Sequence, residues 1–390
     1  MKYDNNFLDS FNKLKTYCEL ENFKGWDPYD GLNSKVFQFF KMDKVAFFRL
    51  AWIQLFKRNP INLRTITMVP KEHNPKGLGL FLTGYCNLYK SEPKKEYLDY
   101  IIMLADELIA LQTPGFSGAC WGYNFDWQSR AFFLKKGTPT VVATSFISSA
   151  LLDAYDITNN KRYLDVAVSA SDFIMKDLNR TTKEEGFIFA YSPFDHTCVY
   201  NASLLGSKIL ARIYTYTKNK ALLEDARDSV IACVNAQRED GAWVYGELSL
   251  QGWVDSFHTG YNLECIYEYQ KFSGDTSFQD SIDRGLIYYL ENFFLEDGTP
   301  RYYDNNTYPI DIHAPAQLIA TLYHLDILTE QKELANRVLD WTIDNMQDKK
   351  GYFYFQLKKG ISSKIPYMRW AEAWMFYAYS FYIREFSNDK

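Results

Sequence analysis

A short turn that sets glycine beside an aromatic residue recurs six times along the 390 residues, each time at the end of a helical stretch. A repeat of that size permits few folds. The turns are Phe23-Lys24-Gly25-Trp26, Ser117-Gly118-Ala119-Cys120-Trp121, Glu185-Gly186-Phe187, Asp240-Gly241-Ala242-Trp243, Asp297-Gly298-Thr299-Pro300-Arg301-Tyr302 and Lys350-Gly351-Tyr352-Phe353. Taken at Trp26, Trp121, Phe187, Trp243, Tyr302 and Tyr352, they are 95, 66, 56, 59 and 50 residues apart. Beyond the first interval, each spacing holds two helices and their loops.

The stretch before each turn is amphipathic, as in Tyr97, Ile101, Leu104, Leu108 and Leu111, which predicts a half-exposed outer helix. The stretches that follow, 79–89, 140–155, 202–216, 261–269, 314–328 and 371–386, are apolar nearly all round and predict buried inner helices. Inner-to-outer links are brief and polar, whereas outer-to-inner links run about 15 to 25 residues, a length that commonly carries function. The expected fold is therefore an all-α (α/α)6 toroid of six helical hairpins with one plain face and one elaborated rim. Residues 35–58 read as one extra helix inserted in the first hairpin, and 59–76 as an irregular segment that covers or lines the rim. No Pro/Gly/Ser-rich linker interrupts the repeat, so residues 1–390 are expected to form one domain, with 35–76 as its insertion.

Composition narrows the functional classes. At 390 residues the chain exceeds the roughly 250–300 at which one compact core stops growing, which implies either two domains or a repeated, ring-like core. Aromatic residues reach 17%, including 30 Tyr and 29 Phe, suiting either dense helix packing or a sugar-stacking cleft. The net charge is -5 and no long basic run occurs, so nucleic acid and anionic membrane surfaces are set aside as partners. No apolar run approaches the roughly 18 residues of a membrane span, and the first residues are polar, so the expected compartment is the cytoplasm. Six cysteines lie scattered without a CxxC pair and read as reduced, buried thiols.

Alternating inner and outer helices in six hairpins are similar to the (α/α)6 toroid of six-hairpin glycosidases, several polysaccharide lyases, sugar 2-epimerases and the helical domain of glucuronyl C5-epimerases. Terpenoid cyclases and protein prenyltransferase subunits share it. The stretch Asn235-Ala236-Gln237-Arg238-Glu239-Asp240-Gly241-Ala242-Trp243 resembles the Gln-to-Trp motif of terpenoid cyclases, in which glutamine caps the aromatic turn. The segments Trp121-Gly122-Tyr123-Asn124-Phe125-Asp126-Trp127, Phe257-His258-Thr259-Gly260-Tyr261-Asn262 and Asp311-Ile312-His313-Ala314-Pro315 resemble uncharacterised toroid proteins of surface-polysaccharide biosynthesis clusters. The resemblance implies a carbohydrate-active enzyme. The Arg-Gly-Asn-Gly-Trp signature of unsaturated-glycuronyl hydrolases is missing, as are the aspartate-rich motifs of prenyl-diphosphate chemistry.

Three of five histidines, His196, His258 and His313, each follow an aspartate by one to three residues at the expected start of an inner helix. An aspartate can orient an imidazole for general acid–base work. It can equally cap the helix, its carboxylate meeting the positive end of the dipole. The candidate catalytic residues are His258, His313, Asp126, Asp255 and Tyr302. Candidate substrate contacts are Trp127, Arg130, His196, Trp253, Tyr261, Tyr303, Arg369 and Glu372. Glycoside hydrolysis needs two carboxylates, for which Asp126, Asp195, Asp255, Asp311 and Glu372 are available. Uronate lyase or epimerase chemistry needs Tyr or His as base and a cation to neutralise the sugar's acid group. A 2-epimerase working through two histidines, and a glycan-binding toroid without turnover, are the alternatives. No short metal-ligand spacing such as HExxH occurs, so neither metal nor cofactor is expected. The expected partner is a carbohydrate, acidic on the uronate reading, and the sequence is silent on oligomeric state.

Overall fold

The computed structural model describes residues 5–128 and 133–387. Helix α1 (Asn5–Leu20) is followed by the insertion helices α2 (Lys35–Phe39) and α3 (Ala46–Arg58), then α4 (Pro75–Ser91) and α5 (Lys95–Ala110). After them come α6 (Val141–Thr158), α7 (Lys161–Asp172), α8 (Tyr200–Thr217), α9 (Lys220–Val234) and α10 (Ser256–Ser273). The last four are α11 (Gln279–Phe293), α12 (His313–His324), α13 (Lys332–Met346) and α14 (Ala373–Phe386). Helices α4, α6, α8, α10, α12 and α14 pack side by side, and α14 returns to α4, so the inner ring closes. Helices α1, α5, α7, α9, α11 and α13 lie outside it, which is the (α/α)6 toroid expected from the repeat.

Packing explains the two sequence classes. The inner helices are buried on nearly every face, since each touches two ring neighbours and an outer helix. One continuous apolar cluster runs from Phe7 to Phe386. All six cysteines are buried and none is in a disulfide.

The recurrent glycine answers to a close approach. Gly241 has φ +92°, and a Cβ there would collide with the backbone oxygen of Arg284 on the next outer helix. Gly118, Gly186, Gly298 and Gly351 press in the same way on Ser169, Asp228, Arg337 and Lys13, one outer helix further round each time. Gln237 Nε2 donates to Gly241 O and to Ser281 O, both at 2.9 Å, tying the turn to its neighbour as the Gln-to-Trp resemblance implied. Gln347 repeats this on Gly351 O and Ser10 O at 3.0 Å. Trp121 and Trp243 are buried at their turns, with Nε1 donating to Leu108 O and Cys233 O, so they pack and do not face a ligand.

The two faces differ as expected. Inner-to-outer links such as 159–160 and 218–219 are minimal, with Asn159 and Lys218 left-handed at the helix ends. All three two-stranded sheets sit on outer-to-inner connections: Trp127–Gln128 with Phe133–Leu134, Arg180–Thr182 with Phe187–Phe189, and Ile310–Asp311 with Gln356–Leu357. The insertion differs from the one helix expected. It holds two helices, because Lys41 adopts a left-handed conformation (φ +53°) that breaks 35–58 in the middle. The irregular 59–74 stretch is pinned by Arg64, which is buried and donates to Asp30, to Tyr367 and to the Asp27 carbonyl. No described helix is long and apolar enough to cross a membrane.

Candidate functional site

A cavity of about 420 Å³ opens on the elaborated rim, walled by the insertion on one side and by the N-terminal turns of the inner helices on the other. Helix starts converge there because every inner helix begins at that rim, and the positive ends of their dipoles face the mouth.

His258 stands at the first turn of α10. Asp255 caps that helix, its Oδ1 accepting from His258 N at 3.0 Å, and its Oδ2 lies 2.7 Å from His258 Nδ1. The same Oδ2 accepts from Trp253 Nε1 at 2.9 Å. Capping and imidazole orientation are thus done by one carboxylate. With Nδ1–H directed at Asp255, the lone pair of His258 is on Nε2.

His313 is arranged differently. Asp311 accepts from its backbone N at 3.0 Å but does not touch the ring, and is engaged by Trp370 Nε1 and Gln356 Nε2 instead. Burial pushes the Asp311 carboxyl up to about 6. The His313 ring is stacked on Phe257 at 4.3 Å, its Nε2 lies 2.7 Å from Tyr261 Oη, and its Nδ1 is buried without a hydrogen bond. Burial, then Lys76, His258 and Arg369, hold this imidazole well below its usual pKa, so it is neutral.

Among the described residues three basic side chains reach the cavity. Arg369 is buried and donates to both carboxylate oxygens of Asp27, at 2.5 and 2.9 Å, so its charge is already answered. Lys57 comes from α3 and donates to Tyr29 Oη at 3.0 Å. Lys76, in the first turn of α4, is 4% exposed and has no hydrogen-bond or ion-pair partner among the described residues. Its Nζ lies over the rings of Phe146, Trp374 and Tyr261, at 4.4, 5.2 and 5.5 Å. Burial, followed by the nearby Arg369 charge, lowers its pKa well below the usual lysine range.

Of the residues singled out from sequence, His258, His313, Tyr302, Trp127, Trp253, Tyr261, Tyr303 and Arg369 line this one cavity. Asp255 stands directly behind His258. Burial holds the Tyr302 phenol well above its usual pKa, so it stays protonated. Three candidates lie elsewhere. Asp126 Oδ1 accepts from Lys136 N at 2.6 Å outside the cavity. His196 is exposed, and Asp195 bonds Ser192 and Thr197 instead of its ring. Glu372 is fully buried where α14 begins, accepting from Phe353 N at 2.8 Å. Arg130 lies outside the described residues.

Sequence reading passed over Lys57, Lys76, Tyr29, Asn201 and Tyr245, all lining the cavity. Lys76 carried a usable signal, since a lysine just after Asn74-Pro75 sits at a helix start, where the dipole opposes a cation. Among the described residues the lining contains no aspartate or glutamate.

Below the cavity the ring axis is filled by a second polar group. Lys208 Nζ contacts Glu264 at 2.6 Å and Glu268 at 3.1 Å, and His324 Nδ1 contacts Glu268 at 2.9 Å. Glu264, Glu268 and His324 cluster closely enough to hold an ion, but the Lys208 ammonium already answers their charge. His324 is therefore structural, as is His73, bonded to Glu107 and to the Asn22 carbonyl.

Comparison with known proteins agrees with this architecture. A family model for Glycosyl Hydrolase Family 88 matches residues 62–247, ending before α10 and its histidine. No curated protein matches by sequence. Among solved structures, a cellobiose 2-epimerase from Bacillus thermoamylovorans superposes with a TM-score of 0.62 at 14% identity, covering 83% of this chain and 90% of its own. An unsaturated glucuronyl hydrolase specific for heparin gives 0.59 at 14% identity, covering 81% and 87%. A polysaccharide lyase gives 0.55 at 13% identity, covering 80% and 90%. The chain thus has the (α/α)6 toroid shared by glycosidases, lyases and sugar epimerases.

Proposed function

We propose that this chain is a carbohydrate-active enzyme that removes a proton beside the carboxylate of a uronic acid residue in an oligo- or polysaccharide, as lyases and uronate epimerases do. The observation that carries this reading is the cavity lining: an oriented histidine, several phenols and three cations, without a carboxylate. Hydrolysis through paired carboxylates lacks its reagents there.

His258 Nε2 is the base that takes the proton next to the sugar's acid group, and Asp255 steadies the imidazolium that forms. Lys76, with Lys57 and Arg369, offsets the negative charge that builds on the uronate carboxylate. Tyr302, held protonated, is the acid. It gives its proton to the departing glycosidic oxygen in elimination, or to the opposite face of the same carbon in epimerisation. Trp127, Trp253 and Trp370 supply aromatic walls for sugar rings.

A second reading rests on the presence of His258 and His313 in one cavity. Two histidines are the apparatus of a 2-epimerase acting on a neutral reducing sugar, and epimerases are among the structural neighbours.

Incubation with uronate-containing polysaccharides, and separately with a neutral reducing disaccharide, in heavy water separates these outcomes. Deuterium at C5, or ultraviolet absorbance from an unsaturated uronate, is expected and should vanish in His258→Ala. Deuterium at C2 of a neutral disaccharide would favour the 2-epimerase. Cleavage without either signal would mean hydrolysis, and binding without turnover would leave a glycan-binding toroid.

A further inference from the structure

The insertion presents an unusual outer surface. Phe39, Phe40, Val45, Phe47, Phe48 and Leu55 are all exposed, Phe39 at 79% and Phe47 at 72%. They are not a frayed region: α3 is anchored from beneath by Ile53 and Phe56, both 1% exposed, and by Trp52 Nε1 donating to Gly31 O at 3.0 Å. On α3 the exposed positions Phe47, Ala51 and Leu55 follow a four-residue spacing, so the helix turns an apolar stripe to solvent while its other face walls the cavity. An exposed apolar patch of this kind marks an interaction site.

Charge identifies what it fits. Residues 35–71 contain eight lysines and arginines and one acid, Asp43, in a chain of net charge -5. Arg64 is buried on Asp30, Lys57 reaches the cavity and Lys71 pairs with Glu21, which leaves Lys35, Lys41, Lys44, Arg49 and Arg58 for the outer surface. Lys35, Lys41 and Arg58 are exposed without an acidic partner among the described residues. The loop tip that follows Leu357 joins the same surface. Lys358 Nζ donates to Arg58 O at 3.3 Å, and beyond it Lys359 and Ile361 are exposed, Ile361 at 76%. No contiguous basic run occurs in the sequence, but the exposed Lys35, Lys41, Lys44 and Arg58 stand on the same insertion as the exposed phenylalanines.

We propose that this face of the insertion docks on an anionic lipid bilayer, with Phe39, Phe40, Phe47 and Phe48 seated among the headgroups and Lys35, Lys41, Lys44 and Arg58 against lipid phosphates. Bulky aromatics beside basic residues match a surface that is apolar within and negative outside. A second copy of the chain is disfavoured, since a two-fold contact would set these cations against themselves.

The test is co-sedimentation of the full chain with vesicles of phosphatidylcholine alone or mixed with phosphatidylglycerol. Binding is expected to the mixed vesicles and not to the neutral ones, and it should weaken as salt is raised. Lys35→Glu, Lys41→Glu and Lys44→Glu combined should weaken it on the order of 100-fold. Phe47→Ser with Phe48→Ser should weaken it too, with melting temperature confirming that each variant is folded. Equal sedimentation of wild type and variants, or none, would overturn the proposal. So would a stable dimer in light scattering that Phe47→Ser dissociates, which gives the face to self-association. None of these substituted residues lines the cavity, so ligand binding in solution tests the cavity separately.

Discussion

Lys76→Met should make the protein more stable and less able to hold an anionic ligand. The wild-type ammonium is buried without an ionic partner. Effective penalties for such an ion are several kcal/mol, and desolvated contacts with aromatic rings return about 1–2. A net cost of about 2 kcal/mol remains, and methionine, of similar reach, removes it without opening a large void. With an unfolding entropy of about 2.1 cal/mol/K per residue, 390 residues give about 0.8 kcal/mol/K, so melting should rise by about 2–3 °C at neutral pH. The pH dependence fixes the cause. Because the folded pKa is depressed below 10.5, the unfolded chain binds more protons between those two values. Wild-type stability therefore rises with pH through that window, and the advantage of Lys76→Met disappears as pH passes 10.5. Differential scanning calorimetry across pH, with and without a uronate oligosaccharide, reads both effects. Ligand should raise the melting temperature of wild type and not of the variant. A variant that melts several degrees lower at neutral pH would refute the argument, since it would mean that the amine has a stabilising role.

Three further outcomes follow from the same geometry. Asp255→Asn keeps a capping oxygen but loses the charge behind His258, so turnover should fall about 10²- to 10⁴-fold, with stability changed by less than about 1 kcal/mol; an unchanged rate excludes the orienting role. Gly241→Ala meets both a positive φ and the Arg284 carbonyl, and should cost more than about 2 kcal/mol in chemical denaturation; a loss within measurement error would show that the turn can shift. His313 has a depressed folded pKa, so as pH falls below 6.5 the unfolded chain takes up the proton first and stability drops. His313→Gln should flatten that acid limb, and an identical slope would mean that the ring is not the group titrating.

The ring was legible because its cause is periodic. Glycine, aromatic and apolar run recur at each turn, and five of the six glycines are forced by contact with the next outer helix, so there the signal and the packing are one thing. The insertion was half legible: its helical pattern shows, but the break at Lys41 depends on a left-handed residue with no glycine to mark it. At the site, Asp255 with His258 was readable as a local i, i+3 pair on one helix. His313 was found for a reason that does not hold in detail, because Asp311 bonds its backbone and not its ring. Partners brought from distant elements were not readable. Nothing local links Asp27 with Arg369, which are 342 residues apart, and nothing marks Lys76 as unpaired until the rings of α6, α10 and α14 close over it.

The turn at Gly351 rests on α1 just as the turn at Gly241 rests on α11. Five of the six turns thus clasp the outer helix of the next unit, the exception being Gly25, which meets Met368, and the clasp between α13 and α1 joins residues 337 positions apart along the chain. Seen from the packing, the closed ring of inner helices has no first member. Opening it at a short link such as 159–160 and joining α14 to α1 would rewrite the order in which the units are made while leaving every clasp in place. During synthesis the cost of the present order falls on α1, which waits, with one flank bare, until its partner in the last unit arrives.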